Sequence, residues 1–359
     1  MRRWKTTKKY IVALIAIALV IIIAMSSYAV YYLNQGSSET NNQEGKVVSV
    51  VDPNGDTVNI TQPVKTVVCL DAIATEIVCA LGCENRIIGI DTSSVFPPSV
   101  TEITQVGESY SPSVEKILEL QPDIVFGGAP INYFNNQTSH QIEAAGIPVF
   151  ICEPMNPPLN SNESMVYGNY ALVTQLGLIL QEQDKAASLV NFMQHYENLV
   201  NERVANLETE EKPLVFYEWY TDWQTSLVPS ISLAGGINIA ENESQYAPIL
   251  SPEFVTQANP DVIILMISSS NHALTDFTTA RSQMMSRPAL QTTTAVKEGH
   301  VYICDYAITG GIESVVGYVQ WAKWVHPSLF EDIDPSAIHQ ELIQEFFSNV
   351  TLDGVYAYP

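Results

Sequence analysis

One phrase occurs twice in this chain, once in each half, and it limits the possible folds more than any other feature. The first copy runs Ser113-Val114-Glu115-Lys116-Ile117-Leu118-Glu119-Leu120-Gln121-Pro122-Asp123-Ile124-Val125. The second runs Ser251-Pro252-Glu253-Phe254-Val255-Thr256-Gln257-Ala258-Asn259-Pro260-Asp261-Val262-Ile263. Each reads Ser-x-Glu, an apolar helical stretch, then Pro-Asp followed by branched apolar residues. A repeated helix-to-strand unit predicts two similar α/β lobes rather than one large domain. Two lobes enclose a cleft, and such a cleft is a natural place to hold a ligand.

Around the repeats, short apolar strands alternate with helices. Residues 46–60 alternate in polarity and turn at Asp52-Pro53-Asn54-Gly55, which reads as a hairpin. Further strands are predicted at 65–70, 86–90, 124–126, 149–152, 214–217, 262–267 and 300–304. Helices are predicted at 72–81, 114–120, 137–145, 169–180, 230–234, 253–258, 315–325 and 336–347. This alternation means α/β architecture with doubly wound parallel sheets. Residues 184–208 contain neither Gly nor Pro and place Ala187, Val190, Met193, Leu199, Val200 and Val204 at roughly helical spacing. At 1.5 Å per residue this helix would reach roughly 35 Å, and it reads as a rod connecting the halves. The expected lobes are therefore 46–183 and 209–359, joined by 184–208.

At the N-terminus, Arg2, Arg3, Lys5, Lys8 and Lys9 precede an uncharged apolar stretch from Tyr10 to Leu33. Residues 1–33 read as a single-pass transmembrane helix with its basic flank in the cytoplasm. The other reading is a cleaved signal peptide, since Ser27-Tyr28-Ala29 is a small-x-small site. The apolar run through Val30, Tyr31, Tyr32 and Leu33 favours a retained anchor. Residues 34–45 are polar and read as a flexible stalk. Either way the bulk of the chain is expected outside the cytoplasm, in agreement with sequons at Asn59, Asn136, Asn162, Asn242 and Asn349. A net charge of −23 argues against nucleic acid as a partner. Cys69, Cys79, Cys83, Cys152 and Cys304 are scattered, supply no zinc frame, and read as buried thiols. The six histidines are dispersed along the chain, so no bare-metal site is expected. No Gly-x-Gly-x-x-Gly, Walker loop or Gly-x-Ser-x-Gly occurs, and no enzyme is predicted. An exported enzyme or a surface sensor using the same cleft is the alternative.

Further phrases extend along nearly all of the exported part. They are Thr75-Glu76, Leu81-Gly82 followed by Arg86-Ile87-Ile88-Gly89, Leu120-Gln121-Pro122-Asp123, and Ala234-Gly235-Gly236-Ile237-Asn238-Ile239-Ala240. Later come Ala295-Val296-Lys297-Glu298-Gly299-His300-Val301-Tyr302 and His326-Pro327-Ser328-Leu329-Phe330. In their order and spacing the chain resembles the class III substrate-binding proteins of ABC importers, which carry corrinoids, ferric siderophores or haem. The resemblance implies two Rossmann-like lobes joined by one long helix, no intrinsic cofactor, and an ABC permease dimer with its ATPase as partner. It also implies that Glu115 and Glu253 dock onto arginine-lined pockets of the two permease subunits. The plainer reading of both is a sound helix start, with Ser251 as N-cap, Pro252 at the first position and an acid in the first turn.

Ligands of open α/β sheets sit beyond the carboxyl ends of the strands. Those loops carry Asp71, Asp91, Tyr110, Tyr133 and Phe134 in the first lobe, and Trp219, Tyr220, Trp223 and Tyr306, with Glu218 and His272, in the second. Aromatic faces there suit a large, flat, partly apolar cargo. Trp219 and Tyr220 can equally close over the core. Few cations are at hand, so a corrinoid or a neutral ferric chelate fits better than a catecholate.

Overall fold

Alternation of short β-branched runs with amphipathic segments produces the predicted pattern in the computed structural model. It describes residues 45–128, 136–152, 165–219, 223–227, 230–243, 245, 247–348 and 350–359. Strands β1 (Lys46–Val51) and β2 (Thr57–Gln62) form the expected antiparallel hairpin. The Asp52 carboxylate closes its turn by accepting the amides of Asn54 and Asp56 at 2.9 and 3.0 Å. Then follow β3 (Val67–Leu70), α1 (Ala72–Ala80), β4 (Ile87–Ile90), the ribbon β5 (Gly107–Glu108) and β6 (Ser111–Pro112), α2 (Val114–Leu120) and β7 (Ile124–Gly127). Next come α3 (Asn136–Ala144), β8 (Val149–Ile151), α4 (Met165–Leu180) and α5 (Gln183–Val204). The second half holds β9 (Leu214–Trp219), α6 (Ser230–Leu233), β10 (Ile237–Asn238), α7 (Pro252–Ala258) and β11 (Val262–Ile267). It closes with α8 (Leu274–Ser286), α9 (Thr294–Glu298), β12 (Val301–Asp305), α10 (Ser314–Val325), α11 (Pro335–Phe346) and β13 (Ala357–Tyr358).

One sheet has the order β4-β3-β7-β8 and the other β10-β9-β11-β12-β13. All neighbours are parallel except β12 and β13. Apart from that antiparallel edge strand, both sheets follow the same winding. Side chains alternate between two buried faces. Val67, Cys69, Ile124 and Phe126 of the first sheet share one core with Val215, Tyr217, Ile264 and Met266 of the second. Their outward neighbours fill separate cores, Val68, Leu70 and Val125 on one side, Phe216, Ile263 and Leu265 on the other.

The repeated phrase builds the same joint twice. Ser113 Oγ caps α2 by accepting from Lys116 N at 3.3 Å, and Ser251 Oγ caps α7 by accepting from Phe254 N at 3.1 Å. Each helix ends on a left-handed residue, Gln121 (φ 50°) and Asn259 (φ 50°). The Pro-Asp pair then locks the central strand. Asp123 Oδ2 accepts the amides of Lys65 and Thr66 at 2.7 and 2.9 Å, and Asp261 Oδ2 accepts that of Leu214 at 2.9 Å. In turn Asp123 N donates to Thr66 O and Asp261 N to Leu214 O. The register that follows is the same, Val67 opposite Ile124 and Val215 opposite Val262.

Three expectations are corrected or extended. The long helix spans Gln183–Val204, so it stops four residues before the expected end. Glu208 and Glu211 form a reciprocal capping box that opens a separate 3₁₀ turn, and the chain leaves the helix to reach it. At about 33 Å it still spans a domain. Helices α8 and α9, the ribbon β5–β6 and strands β10 and β13 were not expected. The membrane segment at 1–33 and the stalk up to residue 44 lie outside the described residues. Among the described residues no helix is long and apolar enough to cross a membrane.

Asp123→Ala removes the acceptor of two backbone amides at the head of β3 and is expected to lower stability by about 1–2 kcal/mol, because charge-assisted bonds exceed neutral ones but this joint is exposed. Urea unfolding of the variant measures it; an unchanged midpoint would show that the Pro-Asp pair is not a structural lock.

Candidate functional site

The carboxyl ends of the strands place the candidate residues unevenly. Asp71 closes β3 and caps α1, with Oδ1 accepting from Ala74 N at 2.9 Å. Gly128, just past β7, packs against it so closely that a Cβ there would come within 2.5 Å of Asp71 Oδ2. Tyr110, in the turn between β5 and β6, is 57% exposed, and Tyr306, directly after β12, is 48% exposed. Trp219 ends β9 half-buried against the shared core. Tyr133, Phe134 and Tyr220 lie outside the described residues.

Two candidates face inward instead. Asp91 follows β4 but is wholly buried, and its carboxylate is taken up by Ser93 Oγ, by Ser93 N at 3.2 Å and by Ser94 Oγ at 2.5 Å. Its own loop takes up the carboxylate. Trp223, held at φ 67°, stacks on Phe216 with centroids 6.0 Å apart and packs on the outer core of the second sheet. Over its ring, at 5.0 Å, lies the Arg287 guanidinium. Arg287 in turn grips the fully buried Glu218 with two bonds of 2.5 and 2.7 Å. Glu218, Arg287 and Trp223 thus form one neutralised stack that braces the loop leading to α7, where Leu250 N donates to Trp223 O at 3.0 Å.

The other arginines past residue 45 are also engaged. Arg86 donates to the carbonyls of Val64 and Leu180 and to Glu182, Arg203 to Asp332, and Arg281 to the carbonyls of Gly299 and Val301. Asp332, paired with Arg203, is held down to about 2. No arginine in this set is left over for an anionic cargo.

The two halves meet at Glu76, in α1. Its carboxylate lies beside Ile312 and Glu313, immediately before α10. Gly311, at φ 58°, is tight against the same carboxylate, and Asn169 of α4 donates to Gly311 O at 2.6 Å. Behind this contact Glu313 Oε2 lies 2.6 Å from His339 Nε2, and both are buried. The His339 ring meets Tyr356 edge-on at 4.7 Å, and His272 stacks on Tyr356 at 4.2 Å. His272, itself at φ 49°, reaches Asp305 Oδ2 at 3.3 Å. Burial and the neighbouring Glu313 carboxylate push Glu76 well above the usual carboxylate range. Burial, with Glu313 and Asp305 nearby, raises the Tyr356 phenol too. Histidines far apart in sequence thus converge on one tyrosine, and no spacing signal announces this. Even so, among the described residues no group of three or more His, Cys, Asp or Glu could hold a metal ion. The five cysteines are buried thiols outside any disulfide, as expected.

Glu115 and Glu253 occupy the first turns of α2 and α7, and both are exposed. Next to Glu253 stand Ile249, 74% exposed, and Phe254.

The family model described as Periplasmic binding protein matches residues 67–307, more than half of the chain. The chain is 23% identical over 295 residues to an uncharacterised ABC transporter substrate-binding lipoprotein, YvrC, of Bacillus subtilis, covering 79% of this chain and 87% of that one. It is 25% identical over 210 residues to the vitamin B12-binding protein of Yersinia pestis, covering 57% and 70% respectively. In fold it is similar to the TroA-like periplasmic binding protein FepB from Veillonella parvula, with a TM-score of 0.71, 19% identity, and 87% of this chain against 99% of that one.

Arg287→Ala would strand the buried Glu218 carboxylate and is expected to cost about 3 kcal/mol, the usual penalty for breaking a buried pair from one side. It should also change tryptophan emission, since Trp223 loses the cation over its ring. Chemical denaturation followed by fluorescence reads both; full stability in the variant would refute the bracing role.

Proposed function

The chain belongs to the periplasmic binding protein family, and on that footing we propose that it is the extracytoplasmic substrate-binding component of an ABC importer for a metal chelate. The family is one of binding proteins, so the chemistry is recognition and hand-over rather than catalysis. What carries the reading is the twin placement of Glu115 and Glu253, exposed in the first turns of two helices with the same cap, length and exit. An acid in the first turn favours a helix start on its own, but two matched and exposed carboxylates also suit paired arginine pockets on a two-subunit permease. The transporter name of YvrC supports that partner, and its lipoprotein name supports attachment to the outer face of a membrane. In this chain the attachment would fall to residues 10–33, retained as a helix.

The cargo would sit between two α/β lobes joined by the helix Gln183–Val204, against Asp71, Tyr110, Trp219 and Tyr306. A corrinoid fits best. The vitamin B12-binding relative supports it, and so does the commitment of Arg86, Arg203, Arg281 and Arg287 to internal partners, which leaves little to neutralise a polyanionic chelate. A neutral ferric chelate is the next choice on the same ground.

Titrating tryptophan fluorescence of the purified protein with cobalamin, cobinamide and several ferric chelates tests the reading; saturable quenching by the corrinoids at micromolar or lower concentration is expected, and no response to any chelate would overturn it. The double variant Glu115→Lys with Glu253→Lys should abolish uptake in cells and leave that quenching unchanged. Lost quenching in the variant, or retained uptake, would refute docking through these residues.

A further inference from the structure

The two copies of the repeat agree in backbone and differ at two exposed positions. The second copy has Ile249 two residues before its cap, where the first has Ser111; it has Phe254 directly after the acid, where the first has Lys116. All four are exposed. Lys116 Nζ is turned to Gln105 O at 3.1 Å. Neither Ile249 nor Phe254 is required to start α7. The apolar contact that fixes a helix entry joins the residue before the cap to the fourth residue of the helix. Leu250 and Val255 occupy those places and are buried in one core. In the first copy Pro112 and Ile117 are buried at the matching places. The exposed pair is nonetheless held rigidly. On either side of Ile249 the backbone is pinned: Pro248 O accepts from Thr225 N at 2.9 Å, and Leu250 N donates to Trp223 O at 3.0 Å. The stack of Glu218, Arg287 and Trp223 braces that loop. Phe254 N donates to Ser251 Oγ at 3.1 Å, and Thr256 Oγ1 ties α7 to Ala289 O at 2.7 Å. Side chains presented on fixed backbone lose little further freedom on binding.

We propose that Ile249 and Phe254 are an apolar anchor beside Glu253 for the permease, so that the two docking faces of the molecule are unlike. This rests on the docking reading above and names what surrounds one of its two carboxylates. The permease subunit that meets the second half carries an apolar depression next to the arginine that pairs with Glu253. The first half, with Ser111 and Lys116 at the matching places, asks for no such depression. Charge at an interface chiefly steers and orients the encounter, whereas large apolar side chains shielded from water hold the complex once it has formed. The two glutamates therefore set the orientation, and the apolar pair of the second half supplies the grip. Apolar neighbours also exclude water from the Glu253 pair and so strengthen it. A second copy of this chain fits the face poorly, because a net charge of −23 and an exposed carboxylate beside the pair would set like against like.

The test measures binding of the full chain to its own ABC permease, with the ATPase attached, in lipid nanodiscs at about 0.05 M and about 0.5 M salt. Ile249→Ser combined with Phe254→Ser should weaken binding by about tenfold or more, and by the same factor at both salt concentrations, because apolar burial is not screened. Glu253→Lys should lose most at low salt and less at high salt. Val47→Ser, which removes an exposed apolar side chain from the hairpin instead, should bind as the wild type does. Wild-type binding by the double serine variant overturns the anchor; if Glu115→Lys with Glu253→Lys abolishes binding in the same assay, the docking reading survives that loss. Unchanged binding by the lysine pair, with loss in the serine pair, overturns docking through the glutamates and keeps the anchor. A wild type that does not bind the permease removes both. If the double serine variant does not fold, Phe254→Lys, which writes the residue of the first copy into the second, decides alone. Sedimentation of the chain by itself supplies the last arm. Self-association that the serine pair abolishes would make the partner a second copy and overturn the permease assignment.

Discussion

Between the two sheets lies one apolar core that neither sheet owns. Val67, Cys69, Ile124 and Phe126 reach it from one side, and Val215, Tyr217, Ile264 and Met266 from the other. Helices α4, α5, α10 and α11 fill the space with Leu176, Met193, Trp321 and Leu342, all buried. Each such side chain contributes about 1.5–3 kcal/mol when taken out of water. Residues 45–359 therefore hold together as one compact unit despite containing two separate sheets. Every strand end that could touch a ligand is positioned by this core.

The duplicated phrase was readable because its chemistry is local. A Ser cap, a seven-residue helix, a left-handed exit and Pro-Asp all act within fifteen residues, so sequence neighbours are structural neighbours. The aspartate then reaches only as far as the start of the adjacent strand, and the strand after it must pair in one register. The parallel winding followed from alternation alone. What could not be read is where the pattern thins out. Helix α8 buries only Phe277 and Met284 among many Thr, Ser and polar residues, too few apolar positions for a helical period to emerge. Strands β10 and β13 have two residues each, and a period of two cannot show itself in two residues.

Site residues divide along the same line. Chain order places Asp71, Asp91, Trp219, Trp223 and Tyr306 at strand ends, but not the direction in which each side chain turns. Asp91 turns inward because two serines follow it and can satisfy its carboxylate within the loop. Trp223 turns onto Phe216 because Glu218 on the same face must be neutralised, and Arg287, arriving from the end of α8, covers both. Since α8 was invisible in the sequence, so was the partner that decides Trp223. The meeting of His272 and His339 over Tyr356 depends on three separate segments and has no sequence signature.

A shared core also limits how such a molecule can choose its cargo. Swinging the halves apart would have to wet apolar surface now buried between them. Each Å² of apolar surface so exposed costs about 25 cal/mol, and the shared core therefore opposes large movements of the halves. Selectivity must then come from groups already in place at the strand ends and from small adjustments where contacts are polar rather than apolar. The contact of Glu76 with Gly311, just before α10, is such a place, since it brings a carboxylate and not apolar area against the other half.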